Sequence, residues 1–206
     1  MKRLAAAALL IALGLGAAVG VLASRQTGSG ATALPPGPYR GSEPPAQIRV
    51  PNLTLPSYRG ETVSLRALNG KVVVVTFLDS KCSDSCPIIA AVIGRAWRML
   101  APGERRQANA YAISVNPRVD TPTSVRRFLV ARHALTTLDW LVGPVKRMRP
   151  VWRAFAVLPA VDTGSDDIHS ADVRVFDRSG QWVSTLHAGV DLTPENLAYD
   201  IQLALR

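Results

Sequence analysis

Cysteine is scarce, with two residues in 206, Cys82 and Cys86. That excludes a multi-disulfide scaffold and any four-cysteine zinc site. Charged residues are only 19% of the chain, too few for a coiled coil, and aromatic residues only 6%. Acid is in deficit: 15 Asp and Glu against 24 Lys and Arg leave a formal net charge of +9. The arginines (Arg95, Arg98, Arg105, Arg106, Arg126, Arg127, Arg147 and Arg149 among them) are scattered, with no long run and little aromatic interleaving. A solvated basic surface is expected from this pattern, with no nucleic acid as partner, although a basic face suits anionic head groups. Histidine occurs three times, as His133, His169 and His187. No internal repeat is present. Against these shortages stands 48% hydrophobic composition, enough to build a core. The length fits one domain plus extensions.

The extensions lie at the N-terminus. Lys2 and Arg3 precede Leu4–Ala23, an uncharged apolar stretch of 20 residues. Such a stretch is long enough to cross a hydrocarbon core of about 30 Å as a helix. The charges place Lys2 and Arg3 in the cytoplasm and the bulk of the chain outside. The stretch is longer than a signal-peptide core of about 7–15 residues, so an uncleaved anchor is expected, although Val21-Leu22-Ala23 is an acceptable cleavage site. No cysteine lies near it, which excludes a lipid-modified cysteine anchor. Residues 24–46 read as a Gly/Ser/Pro linker, stiffened by Pro35, Pro36, Pro38, Pro44 and Pro45. The expected organisation is therefore 1–23 membrane anchor or signal segment, 24–46 linker and 47–206 globular domain.

In the globular part, strand and helix signals alternate. Asn52–Leu55 and Thr62–Leu65 predict a short hairpin. Lys71–Leu78, KVVVVTFL, is a β-branched apolar run that predicts a central strand buried on both faces. Pro87 is expected to open a helix to about Leu100, with Ile88, Val92, Ala96 and Met99 or Leu100 on its buried face. Ala108–Val115 predicts a strand, and Asp120/Thr121 cap a helix beginning at Pro122 and holding Val125, Phe128, Leu129 and Arg132. Asp139–Val142 is a short strand and Val145–Ala154 a helix. Ala160–Asp167 reads as an acidic, glycine-containing mobile loop. Asp172–Asp177 and Gln181–His187 flank Arg178-Ser179-Gly180 as a hairpin, and Thr193 caps a final helix. The fold class is α/β, a thioredoxin-like sandwich with a central mixed sheet, an N-terminal hairpin and an N-terminal transmembrane anchor.

Cys82-Ser83-Asp84-Ser85-Cys86-Pro87 falls where the buried strand turns into a helix. Unpaired backbone N–H groups and the helix dipole favour thiolate there, the form that attacks disulfides and binds metal. A stabilising staple is the less favoured reading, because three intervening residues close too small a loop to add much. Disulfide oxidoreductases use two intervening residues; here there are three. Two thiolates suit Cu(I), and a third donor, for which imidazole is apt, would complete the site. His133 is expected inside the Phe128–Ala134 helix, His187 at the end of a strand and His169 after the acidic loop.

These residues resemble the Sco/SenC family of membrane-anchored thioredoxin-fold copper chaperones. VVVVTFLDSKCSDSCP is similar to the family's strand, metal loop and helix start, with Asp84 at the usual acidic position. AISVNPRVDTP resembles its next strand and helix cap, and IHSADVRVFDRSGQWV its histidine-bearing loop and hairpin. The resemblance implies metal ligation by Cys82, Cys86 and His169, with copper, Cu(I) or Cu(II), as the ion. It departs at Asn116, where the family usually has an acid, and at Ser83 and Ser85, which replace commoner Pro and Val. The helix around Arg147–Phe155 is a loose match. The implied function is delivery of copper to the dinuclear site of cytochrome c oxidase subunit II, or to another extracytoplasmic cuproprotein, at the plasma membrane. The alternatives are an extracytoplasmic thiol-disulfide reductase using the same cysteines, or a redox or copper sensor. The first reading makes the protein a metallochaperone rather than an enzyme.

Overall fold

The structure, a computed structural model, describes residues 38–45, 48–65 and 70–206. The expected anchor Leu4–Ala23 and most of the expected linker lie outside the described residues. No helix among the described residues is long and apolar enough to cross a membrane.

A five-stranded sheet organises the domain. β1 (Thr54–Pro56) and β2 (Thr62–Ser64) form an antiparallel hairpin, Leu55 opposite Val63. β3 (Val72–Leu78) leads into α1 (Ser85–Met99), followed by α2 (Pro102–Arg106) and β4 (Ala108–Ser114). α3 (Pro122–Ala131), β5 (Leu138–Leu141), α4 (Val145–Ala154) and α5 (Ala160–Thr163) follow, then β6 (Asp172–Phe176), β7 (Trp182–His187) and α6 (Pro194–Ala204). The sheet order is β5-β4-β3-β6-β7. β3 runs parallel to β4 and antiparallel to β6; β4 and β5 are parallel, β6 and β7 antiparallel. This is the expected thioredoxin-like sandwich with a mixed sheet.

β3 is the hub because both its faces are dry. All seven of its residues are buried. Successive side chains of a strand point to opposite faces. Val72, Val74 and Leu78 accordingly join one core with α1, α3 and α6 residues such as Ile89, Phe128 and Ile201. Val73, Val75 and Phe77 join the other with Leu55, Met148, Trp152 and Phe155. Burying one large apolar side chain contributes roughly 1.5–3 kcal/mol, so β3 is the strand where a polar substitution is most disruptive.

Both sheet edges are covered, which removes templates for edge pairing. The β1–β2 hairpin lies along β5, where the Tyr58 N–H donates to Trp140 O at 2.8 Å. On the far side the Trp182 N–H donates to Ile48 O at 2.8 Å and Ser42 pairs with Thr185. The Asp200 carboxylate, fully buried on α6, accepts from the Arg40 N–H at 2.7 Å and the Ser184 hydroxyl at 2.6 Å.

Several local expectations are corrected. α1 begins at Ser85, not at Pro87, so Cys86 lies in its first turn. Pro87 is still tolerated, because the first four helical N–H groups have no intrahelical acceptor. Of the expected buried face, Val92, Ala96 and Leu100 are buried, but Ile88 and Met99 are 53% and 49% exposed; Ile89, Ile93 and Trp97 complete the buried stripe. His133 is not helical. It follows the C-cap Arg132 with φ 53°, in the left-handed conformation that often ends a helix. The segment Ala160–Asp167 is not all loop, since α5 occupies its first half. α2, with Pro102 in its first turn, was not anticipated.

Candidate metal centre

Two chain segments meet over the end of β3. The first is the strand-to-helix turn. Asp79 closes it: its backbone carbonyl accepts from the Cys82 N–H at 3.3 Å, and its carboxylate accepts from the Lys81 N–H at 2.7 Å. Cys82 and Cys86 are thereby turned inward, 4% and 0% exposed, and both are free thiols. Asp84 is the N-cap of α1 without a side-chain capping bond, and it stays exposed.

The second segment carries His169 between α5 and β6. The His169 Nδ1–H donates to its neighbour's carbonyl, Ser170 O, at 2.8 Å. That bond sets the tautomer and leaves Nε2 facing the sulfurs, as an outer hydrogen bond does for a ligating imidazole. Nε2 lies 3.3 Å from Cys86 Sγ. The two sulfurs and an imidazole nitrogen all fall within 4.8 Å of one another, close enough to share one ion. His133 and His187 are exposed and do not join this grouping.

Proton chemistry is uneven across the pair. The Cys82 thiol is pulled down to about 5, chiefly because the Cys86 thiol hydrogen-bonds to its thiolate, with His169 assisting against burial. Cys86 is pushed strongly up, by its bond to the Cys82 thiolate and then by burial. One proton of the pair leaves readily and the second is held, as expected of two coupled acids. A metal must displace that second proton to bind both sulfurs. Burial works to lower His169, but the Cys82 thiolate, Ser170 O and Asp79 outweigh it, and the net direction is up. By distance the imidazole's partner is Cys86; the charge it responds to sits on Cys82.

A polar net, absent from the sequence-based site, ties the segments together. The Asn116 amide donates to Asp79 Oδ2 at 2.8 Å and to Asp166 Oδ1 at 2.9 Å. The Ser83 N–H donates to Asp167 Oδ1 at 2.8 Å. Thus Asn116 links the turn before Cys82 to the loop before His169, and Ser83 does so beside it. Asp79, a loop acid by sequence, is fully buried and not a solvated charge; burial is also what raises its carboxyl pKa. The sequence signal for this net was the departure at Asn116. An acid there would face two further carboxylates, whereas an amide can donate to both.

The donor set fits a soft, low-coordinate ion: two sulfurs, one of them ionised at neutral pH, and one nitrogen, all on a partly dry surface. A thioredoxin-like sandwich with this trio defines a class of thiol proteins equipped for metal as well as redox chemistry. Within that class the chain belongs to the SCO1/SenC family, whose model matches residues 42–206. Among curated proteins no match is found. Among solved structures, Bradyrhizobium japonicum ScoI with copper bound is 27% identical over 77% of this chain and 100% of its own, TM-score 0.62. A SCO1/SenC family lipoprotein from Bacillus anthracis shares the fold at 19% identity, over 79% of this chain and 98% of its own, TM-score 0.67. BsSco, a cytochrome c oxidase assembly protein of the Sco family with a disulfide switch, does so at 23%, over 80% and 97%, TM-score 0.64.

Proposed function

We propose that this protein binds one copper ion through Cys82, Cys86 and His169 and hands it to the dinuclear copper site of cytochrome c oxidase subunit II. The observation that carries the reading is the convergence of the three donors within 4.8 Å from segments 83 residues apart. Copper bound to the Bradyrhizobium relative, and the oxidase-assembly role of BsSco, support it. The apolar Leu4–Ala23 segment would hold the globular part on the outer face of the plasma membrane; the tether would be shorter than 24–46, because Arg40, Gly41 and Ser42 already pair with Asp200 and Thr185. In transfer, the cysteines keep the ion while the loop-borne imidazole lets go and a recipient donor takes its place.

One observation favours a second reading, a thiol-disulfide reductase. The Cys82 thiol is held at about 5, so it is thiolate at neutral pH. Its sulfur would attack a target disulfide, releasing one target thiolate; Cys86, losing its proton, would then displace the other and form a Cys82–Cys86 disulfide. Two electrons pass to the target. His169→Ala separates the readings. Chaperone action requires the variant to lose copper-dependent oxidase assembly while retaining disulfide reduction in vitro. Oxidase assembly by the variant at ordinary copper levels would replace the chaperone by the reductase. Retention in the membrane pellet after alkaline carbonate washing tests the anchor, and a free chain starting at Ser24 would refute it.

A further inference from the structure

The metal centre opens beside an arginine-lined groove that the donor chemistry does not use. It runs between α1 and the end of α3, has a volume of about 480 Å³, and is bounded by Pro87, Ile88, Arg95, Arg98, Arg132 and His133. Ser83, inside the cysteine loop, forms its near end. A second groove of about 570 Å³ adjoins it at Ala131 and carries Arg126, Arg127 and Val130 on the outer face of α3. The two helices therefore present five arginines to one side of the molecule. Within the helices no acid offsets them: Ser85–Gly103 and Thr121–Leu138 contain neither Asp nor Glu, and the acids nearest the groove, Asp84 and Asp167, stand at its Ser83 end. None of the five takes part in the ion pairs found among the described residues.

The grooves are also apolar. Ile88 is 53% exposed and Val130 51%, both large side chains facing solvent beside the arginines. Close packing of the helices fixes the floor. A Cβ on Gly94 would stand 2.8 Å from His133 O, so the glycine lets the end of α3 lie against α1. The Arg98 guanidinium donates to that same carbonyl at 3.3 Å.

We infer that this double groove docks an acidic, partly apolar segment of the protein that exchanges metal with Cys82, Cys86 and His169. The inference rests on the transfer reading above. Concentrated positive potential without internal counter-charge selects an anionic partner and speeds encounter, while exposed aliphatic groups give the docked state dry contact. A protein segment fits better than a lipid surface, because the site is concave and ends at the cysteine loop. An occupant reaching Ser83 lies next to the donors, whereas a flat bilayer over the same face would bar the recipient.

The test uses the full chain in detergent and a short fluorescent Glu/Leu peptide as probe, with a Lys/Leu peptide and phosphatidylglycerol vesicles as comparisons. Saturable binding of the acidic peptide alone is expected, weakening as salt rises. Arg95→Glu with Arg127→Glu should weaken it by about tenfold or more, while Arg105→Glu with Arg106→Glu, the same charge change on α2, should weaken it less than about twofold. Equal losses in both double variants would reduce the effect to net charge and overturn the inference. So would vesicle binding that is lost in the groove variant while the peptide fails to bind. Copper binding is read in parallel. Failure of the groove leaves one copper per chain, and failure of the copper reading leaves peptide binding intact in His169→Ala.

Discussion

The two halves of the metal centre are held by different forces. The cysteine half is part of the core. β3 is buried along its length, α1 buries Cys86 with Ile89, Ala90 and Ile93, and Asp79 closes the turn between them. The histidine half is hung on the surface by side-chain hydrogen bonds, from Asn116 to Asp166, from Ser83 to Asp167 and from His169 to Ser170. Moving the first half means unpacking apolar surface at roughly 25 cal/mol per Å². Moving the second means exchanging a few hydrogen bonds for water, at about 0.5–1.5 kcal/mol each. In the proposed transfer, a site built this way would retain its sulfurs and release its imidazole first.

Removing a donor from each half is the largest break. Cys82→Ser or Cys86→Ala should abolish copper binding at stoichiometric metal, read by metal analysis after gel filtration. His169→Ala should leave residual binding weakened by about a hundredfold in competition with a chromophoric chelator, with His133→Ala and His187→Ala unchanged. Equal loss in all three histidine variants would cancel the distinction between the halves.

Next comes the tie. Asn116→Ala removes donors to Asp79 and Asp166 together, leaving a buried carboxylate short of one partner. Copper affinity should fall about tenfold, and amides of the 164–169 segment should exchange faster while those of β3 do not. Asn116→Asp should be worse, because three carboxylates would then converge. Slower exchange in either variant would show that Asn116 does not join the halves.

Proton titration sharpens the comparison within the cysteine half. In the reduced, metal-free protein, thiolate absorbance near 240 nm should rise with a midpoint at about 5, from Cys82. Cys86→Ala removes the hydrogen bond that lowers it, so the midpoint should move up. A midpoint that stays put would place the cause elsewhere.

The last effect falls on folding, not on the metal, and lies behind the site. Asp120, 4% exposed, accepts from the Ser80 N–H at 2.9 Å and from the Trp140 indole N–H at 3.2 Å. Burial nevertheless raises its pKa to about 6, against the hydrogen bonds from Ser114 and Ser80. A folded pKa above the unfolded value near 3.9 means that the folded state binds more protons in between. Its contribution to stability is therefore full below about pH 4, falls as pH rises, and levels off above about 6, a change of about 3 kcal/mol. Carboxyl NMR titration of Asp120 and denaturation across that range check it. Stability rising through the window in wild type but not in Asp120→Asn would reverse the sign.

Much of the fold was legible because local signals agreed with the tertiary result. KVVVVTFL has the composition of a strand buried on both sides; Thr121 and Thr193 are N-caps whose hydroxyls accept from Ser124 N and Asn196 N. Misreadings fell where two local rules competed. Pro87 predicts a helix start, but the helix runs back to Ser85; proline is tolerated at the third helical position because its missing N–H would have no intrahelical acceptor there. Ile88 and Ile89 are both apolar, and periodicity over so apolar a helix does not choose which one faces the sheet. The loop before His169 is hydrogen-bonded at Asp166 and Asp167 to partners far away in sequence, which no local pattern shows.

By itself, then, the sequence determined the order of the elements, the thiol pair at a strand-to-helix junction and the shortage of acid, because each of these is a local pattern or a count. Tertiary structure alone decided how His169, already singled out by the family resemblance, meets the sulfurs, which acids Asn116 joins, and that arginines spread along two helices face one groove. Those are relations between segments distant in the chain. They are set by how β3 sorts its neighbours onto two faces and by which surfaces remain uncovered when the two cores have closed.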